Sequence, residues 1–294
     1  MYNLLITNQT NGFSLDFNNP SSPFIISEIL GLDPPDATVN IDEYAVLDGG
    51  IFNSAKANYR TLQIAFAIDY DAANSRQRIY RVLQPGRPVR IDYSDDNGLA
   101  VYTIGYAGKP EITHFAMKQV CTVTISCPDA YWQGAEQIAA AFYSITNAFS
   151  FPFGSVEDPG DVIFGTKNLF NETEIVNDGN LPIGFVVDLL FKDATSTGVT
   201  ITNIDTGAEI SITWVLTIVQ ALDIVRIDTR PNHRKVVLIR NGVEVSSLFN
   251  GIDYENLREW PMLNPGTNTI KIAAAVTGEA PDISLTEQLL YEGV

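Results

Sequence analysis

The chain is poor in the residues that carry most metal, redox and acid–base chemistry. Its 294 residues include two histidines, two cysteines and three methionines. His114 and His233 have no second ligand at helical or hairpin spacing, which leaves a transition-metal site without a donor set. Cys121 and Cys127 stand in VCTVTISCP. If that run is a strand, six residues separate the two sulfurs by about 20 Å, far beyond disulfide reach. They read as small buried hydrophobes of a reducing compartment. Long apolar runs are missing too: nothing approaches the ~18 residues of a membrane-spanning helix. The opening MYNLLITNQTNG lacks the basic segment of a signal peptide. Positive charge is the last deficit. Eighteen Lys and Arg face 35 Asp and Glu, for a net charge of −17. Such an excess disfavours gripping nucleic acid by its phosphates, or adsorbing to an anionic membrane.

Apolar content is ample. Hydrophobic residues make up 45% and charged residues 18%, enough for a packed core and too apolar for a disordered chain. At this length two domains are the ordinary expectation. The dominant periodicity is two. Tyr2–Thr7 and Phe13–Phe17 flank the turn Asn8–Gly12, whose Asn-Gly favours positive φ. In Tyr59–Tyr70, Leu62, Ile64, Phe66 and Ile68 share one face. Val89–Tyr93 and Leu99–Tyr106 flank Asp95-Asp96-Asn97-Gly98, and Gln119–Cys127 alternates again. One helix is indicated over Ser75–Leu83, capped by Asp71 or Asn74 and stopped at Pro85-Gly86. Between Gly31 and Asn58 lie nearly thirty residues with little periodicity, a length that in a compact domain points to function or an interface.

Beyond Asp129 the texture changes. Gly134–Phe149 reads as a short apolar helix or an arm, and Ser150–Gly165 is rich in Gly, Pro and Phe. A domain boundary is placed there, giving residues 1–150 and 151–294. The remainder alternates strand and turn: Gly184–Phe191, Val199–Asn203, Glu209–Val215, Asp223–Asp228, Lys235–Arg240, Thr269–Ala275 and Ile283–Tyr291. Seven short strands at this spacing read as a β-sandwich. The expected class is therefore mainly β: two sandwich domains, the first with a single helix.

Candidate chemistry is thin. Asp95-Asp96 and Asp33…Asp36 sit in turns, where a solvated carboxylate capping backbone N–H groups is the ordinary role. Asp69 and Asp71 open like a calcium loop, but Asn74 and Tyr80 stand where the loop needs Gly and Glu. No G-x-S-x-G elbow or phosphate-binding glycine loop is present. No catalytic, cofactor-binding or metal-ligating residue is nominated, and no cofactor. The richest basic run carries Arg226, Arg230, Arg234, Lys235 and Arg240. It reads as a hairpin of surface cations in an acidic domain, or as a binder of an acidic ligand or RNA, with no aromatic platform interleaved. Trp132, Trp214 and Trp260 suit stacking on sugar; for Trp214, among Ile212, Val215 and Leu216, core packing is the default.

One family does resemble this chain. GLDPPDATVN followed by IDEYAVLDGGIFNSAKANYRTLQIAF, then NSRQRIYRVL, PVRIDY and TVTISCPDAYW, are similar to the N-terminal region of phage distal tail proteins. NDGNLPIGFVV, IDTR…VLIRNG, LNPGTNTIKI and the final YEGV are similar to that family's second domain. The resemblance implies a non-enzymatic virion protein of a long non-contractile tail, assembled in the bacterial host cytoplasm. It implies a hexameric ring built by the N-terminal domains, joining the tail tube protein to tail-tip or tail-associated proteins and letting DNA pass. It implies a galectin-like or carbohydrate-binding-module-like second domain that docks a receptor-binding protein, or alternatively binds host cell-wall saccharide. His233-Arg234-Lys235 does not reproduce the His-x-Asn set of sugar-binding galectins, so the fold alone gives no licence for lectin activity. Neither specific nucleic-acid binding nor membrane insertion is implied.

Overall fold

The structure, a computed structural model, describes residues 2–116, 118–147, 165–169, 172–192, 196–215, 218–276 and 280–294. The chain forms two compact units, one of residues 1–136 with 290–294 and one of residues 137–289. It enters the second unit within one strand and leaves it within another. Residues 150–164, the stretch where composition suggests a boundary, lie outside the described residues.

The first unit contains β1 (Asn3–Asn8), β2 (Ser14–Asp16), β3 (Phe24–Leu30), β4 (Ala37–Glu43), β5 (Gly50–Ala57) and β6 (Arg60–Ile68). Helix α1 (Ala72–Val82) follows, then β7 (Pro88–Ser94), β8 (Ala100–Ala107), β9 (Glu111–Ile112), β10 (Gln119–Cys127) and the start of β11 (Trp132–Ala141). Every pairing is antiparallel: β2-β1-β7-β8-β11 on one path and β3-β6-β10 on the other, with β10 also meeting β8 and β9. Alternation decides which face is buried. Leu62, Ile64, Phe66 and Ile68 from β6 meet Cys121, Val123, Ile125 and Cys127 from β10, and Leu4, Ile6, Val89 and Ile91 join the same core. Phe17 and Phe24 pack edge-on or tilted about Phe66 with centroids 5.0–6.1 Å apart.

Helix α1 buries Ser75, Ile79 and Val82. Its N-cap is Asp71, but in the left-handed region at φ 47°, with no side-chain cap to the backbone. The Asp71 carboxylate instead accepts from Asn74 Nδ2 at 2.8 Å, so both candidate capping residues are used on each other. Ser75 Oγ donates to the Tyr70 carbonyl, and Asn8 Nδ2 reaches the Val82 carbonyl at 2.8 Å to tie the helix end to β1. Between Trp132 and Asn147 the chain runs as two strands, β11 and β12 (Tyr143–Asn147), rather than as a helix. Apolar composition alone does not separate such a stretch of strand from a short helix.

The second unit holds β12, β13 (Gly165–Leu169), β14 (Glu172–Asn177), β15 (Phe185–Leu190), β16 (Ser196–Asn203), β17 (Ala208–Thr213), β18 (Ile224–Asp228), β19 (Lys235–Arg240), β20 (Val243–Ser247), β21 (Gly266–Val276) and β22 (Asp282–Tyr291), whose last two residues belong to the first unit. Two antiparallel sheets dominate it: β22-β15-β18-β19-β20 and β14-β21-β16-β17. Their inner faces are aliphatic, from Val187, Leu189, Val225 and Ile227 on one sheet and Val199, Ile201, Ile210 and Ile272 on the other. The mainly-β, two-domain class expected from the sequence is what the fold shows.

The buried polar side chains of Asn177, Asn203, Asp223 and Asp228 in this unit are hydrogen-bonded, but that of Glu287 is not. On β22 the inward positions are Ile283, Leu285, Glu287 and Leu289. Glu287 is 3% exposed, sits opposite Phe185 of β15, and neither carboxylate oxygen has a hydrogen-bond partner. Burial, aided by the charge of Asp178, pushes its pKa up from 4.5 to about 7.

Candidate assembly surface

The aperiodic stretch of the sequence turns out to be a hairpin. Among the described residues, strands β4 and β5 pair only with each other, through seven cross-strand pairs from Ala37↔Ala57 to Glu43↔Gly50. A bulge lies between Asn40 and Ile41, where Asn40 opposes Ser54 but Ile41 opposes Phe52, so Asn53 is the extra residue. The bulge explains why alternation is hard to read there. TVNID alternates cleanly, but Ile51 and Phe52 are neighbours in β5, and only the bulge brings Phe52 back into phase.

Pairing sorts the side chains into two faces. Val39 opposes Ala55, Ile41 opposes Phe52, and Ala37 opposes Ala57 on the first, which is apolar as far as the Glu43↔Gly50 pair beside the tip. Thr38 opposes Lys56 and Asn40 opposes Ser54 on the second, where Asn40 Nδ2 donates to Ser54 Oγ at 2.9 Å. The tip, Tyr44–Gly49, adds Val46 and Leu47, and Gly49 supplies the positive φ of 97° that closes it. Every residue from Asp36 to Lys56 is exposed. Val46 is 93% exposed, Phe52 62% and Ile41 58%. Soluble surfaces tolerate scattered apolar residues, but a contiguous stripe on a strand pair with two free edges marks an association site.

The root of this hairpin is held firmly. Gly31, where the chain leaves β3, has φ +93°, and a Cβ there would fall 2.1 Å from the Thr61 carbonyl oxygen, so only glycine fits. The Asn58 N–H donates to the Asp36 carbonyl at 2.8 Å, and Thr38 Oγ1 donates to Asn58 Oδ1. Arg60, the first residue of β6, is 2% exposed and lies over the Trp132 ring, 5.3 Å from its centroid. The one mark of Arg60 in the sequence is that of a lone arginine in phase with Leu62, Ile64 and Phe66.

The residues weighed as chemistry are accounted for structurally. Asp95 accepts backbone N–H groups from Asn97 and Leu99 in its turn. Cys121 and Cys127 are free and buried, their thiols pushed up to about 12 and about 11 chiefly by burial. The basic run is largely neutralised in place. Arg226 forks onto Asp188, Arg230 onto Asp228 and Arg240 onto Asp223, each with a 2.6–2.7 Å contact, and Lys235 meets Glu244. Arg234 lies 5.2 Å from the Trp260 ring centroid. Trp214 is core, donating from Nε1 to the Ser196 carbonyl at 2.8 Å. Among the described residues no group of three or more His, Cys, Asp or Glu could hold a metal ion, and no helix is long and apolar enough to cross a membrane.

Comparison with solved structures matches the architecture end to end. The Dit protein (gp 19.1) of phage SPP1, described as a paradigm of the hub adsorption apparatus in phages infecting Gram-positive bacteria, aligns at TM-score 0.62. The alignment covers 99% of each chain at 15% identity. The chain has the fold of a phage Dit protein. Chains from the phage P2 baseplate in its activated conformation, solved with Ca and with Sr, align at TM-score 0.49 and 12% identity over the whole of both chains. No family model matches the chain, and no curated protein matches it in sequence.

Proposed function

We propose that this chain is a structural, non-enzymatic virion protein: the hub at the distal end of a long non-contractile phage tail. The observation that carries the reading is the full-length match in fold to the SPP1 Dit hub, both units included. In this reading six copies close into a ring, with the tail tube protein on one side and tail-tip or tail-associated proteins on the other. The β4–β5 hairpin supports self-association independently of that likeness. It offers an apolar stripe that a monomer leaves in water and a head-to-tail neighbour would bury, the kind of heterologous contact that closes rings. Burying half of each of Val39, Ile41, Val46, Leu47 and Phe52 is worth about 1 kcal/mol apiece, so on the order of 5 kcal/mol per contact. The acidic excess fits a pore that passes DNA without retaining it. The second unit serves as the outward platform, galectin-like in this reading, on which a receptor-binding protein docks.

Negative-stain electron microscopy and light scattering of the purified full chain test the proposal. Six-fold rings with a central hole, or six chain masses in solution, are the expected result. A uniform monomer that also fails to bind a tail tube protein overturns it.

A further inference from the structure

The root of the hairpin is tied to residues that lie more than 230 positions away. Arg60 spreads its guanidinium over five main-chain carbonyls. Nε donates to Ala130 at 3.0 Å; Nη1 donates to Gly31 at 2.6 Å, Asp33 at 2.7 Å and Leu32 at 3.4 Å; Nη2 donates to Glu292. Burial draws its pKa below the usual arginine range, opposed by Cys127 and Asp33, so the fan of carbonyls replaces the water this cation has lost. Residues 290–294 belong to the first unit although the chain reaches them only after traversing the second. Two further contacts bind them to the same root. The Val294 N–H donates to the Leu32 carbonyl at 3.1 Å, and Gly293 lies so close that a Cβ would be 3.0 Å from Pro34 Cδ and 3.2 Å from the Asp33 carbonyl carbon. Beyond this root, Asp36 to Lys56 is exposed throughout, so the direction of the arm is fixed where Gly31–Pro34 is held.

We propose that Arg60 and residues 290–294 form a latch that aims the β4–β5 arm, making Arg60 a positioning residue for self-assembly. The idea rests on the hub reading only for what the arm is used for; the latch itself is a property of one chain. Chain entropy gives the reason for such a device. An exposed two-stranded arm that pivots at its root loses that freedom on docking, and a root held in advance lowers the loss. Because residues 290–294 follow the second unit in the chain, the latch closes only after that unit has been made.

The test is a distance measurement on the full chain carrying spin labels at Asp48→Cys, on the arm's tip, and Asn97→Cys, on the exposed β7–β8 turn. Buried Cys121 and Cys127, with thiols pushed up to about 12 and about 11, are spared by the label. The latch predicts a narrow distance distribution in the parent chain and one at least twice as broad when residues 291–294 are deleted. Arg60→Lys, which keeps the charge but loses the fan, broadens it as well. If the deletion unfolds the chain, as circular dichroism would show, Gly293→Val keeps every hydrogen-bonding group, crowds Pro34 and is read the same way. A distribution as narrow in the folded variants as in the parent, or as broad in the parent as in the variants, overturns the latch. In unlabelled chains, assembly should weaken at least tenfold in the broadened variants; unchanged assembly despite broadening overturns the link to assembly. A parent chain that never self-associates counts against the hub reading instead, and the label distances still decide the latch.

Discussion

Glu287 makes the stability of the second unit fall as pH rises. Its carboxyl occupies a core position between Leu285 and Leu289, with neither oxygen paired, and burial lifts its pKa from 4.5 to about 7. The folded state therefore holds a proton that the unfolded chain releases from about pH 4.5 upward. Between pH 4.5 and 7 the native state binds more protons, so the slope of unfolding free energy with pH is negative. Above pH 7 the loss is complete. A shift of 7 − 4.5 = 2.5 units at about 1.36 kcal/mol each gives about 3 kcal/mol lost between pH 4.5 and 8. For a unit of this size that is a fall in melting temperature of roughly 6–12 °C. Glu287→Gln abolishes the ionisation, so the difference in unfolding free energy between parent and variant isolates this one group. Urea unfolding of both chains at half-unit steps from pH 5 to 8 measures it. The variant should gain on the parent by about 2.5 kcal/mol over that range, since part of the loss falls below pH 5. Parallel pH profiles would refute the reasoning, because they would mean that Glu287 is ionised or solvated in the folded state.

Other consequences are simpler to check. Replacing Ile41 and Phe52 together by Asp should abolish self-association in light scattering while shifting the monomer's unfolding free energy by less than about 1 kcal/mol, since both side chains are already exposed. Gly31→Ala must resolve a 2.1 Å approach to the Thr61 carbonyl as well as a φ of +93°, so it should cost at least about 2 kcal/mol in urea unfolding. Phe66→Ala, at the centre of the aromatic cluster in the first unit, should cost about 3–5 kcal/mol. Cys121 and Cys127 should resist a thiol-disulfide reagent at pH 8 in the folded chain and react fully in denaturant, because the thiolates they must form are suppressed by burial.

Much of the fold is written in local pattern. Period-two runs locate β6, β8, β10, β15 and β22, and Asn-Gly pairs locate the turns at Gly12, Gly98 and Gly242, all with positive φ. These features are legible because one face of each strand meets a core and a tight turn needs residues that tolerate left-handed backbone. Strands β3 and β14 were harder to read. Ile25 and Leu30 of β3 stay exposed, and a bulge near Ser27 shifts its phase. The arm shows the same limit more sharply. Its two faces both lie in water within one chain, so nothing intramolecular enforces alternation, and its bulge hides the stripe.

By itself the sequence determined the class: a mainly-β chain of two domains with a large acidic excess. Composition and alternation suffice for that because burial acts on each strand separately. Tertiary structure decided the rest. That Phe52 lines up with Ile41, that Arg60 serves five distant carbonyls, that residues 290–294 return to the first unit and that Glu287 is stranded without a partner all depend on which segments meet. Those meetings are set by pairing register and long-range packing, which no local pattern encodes.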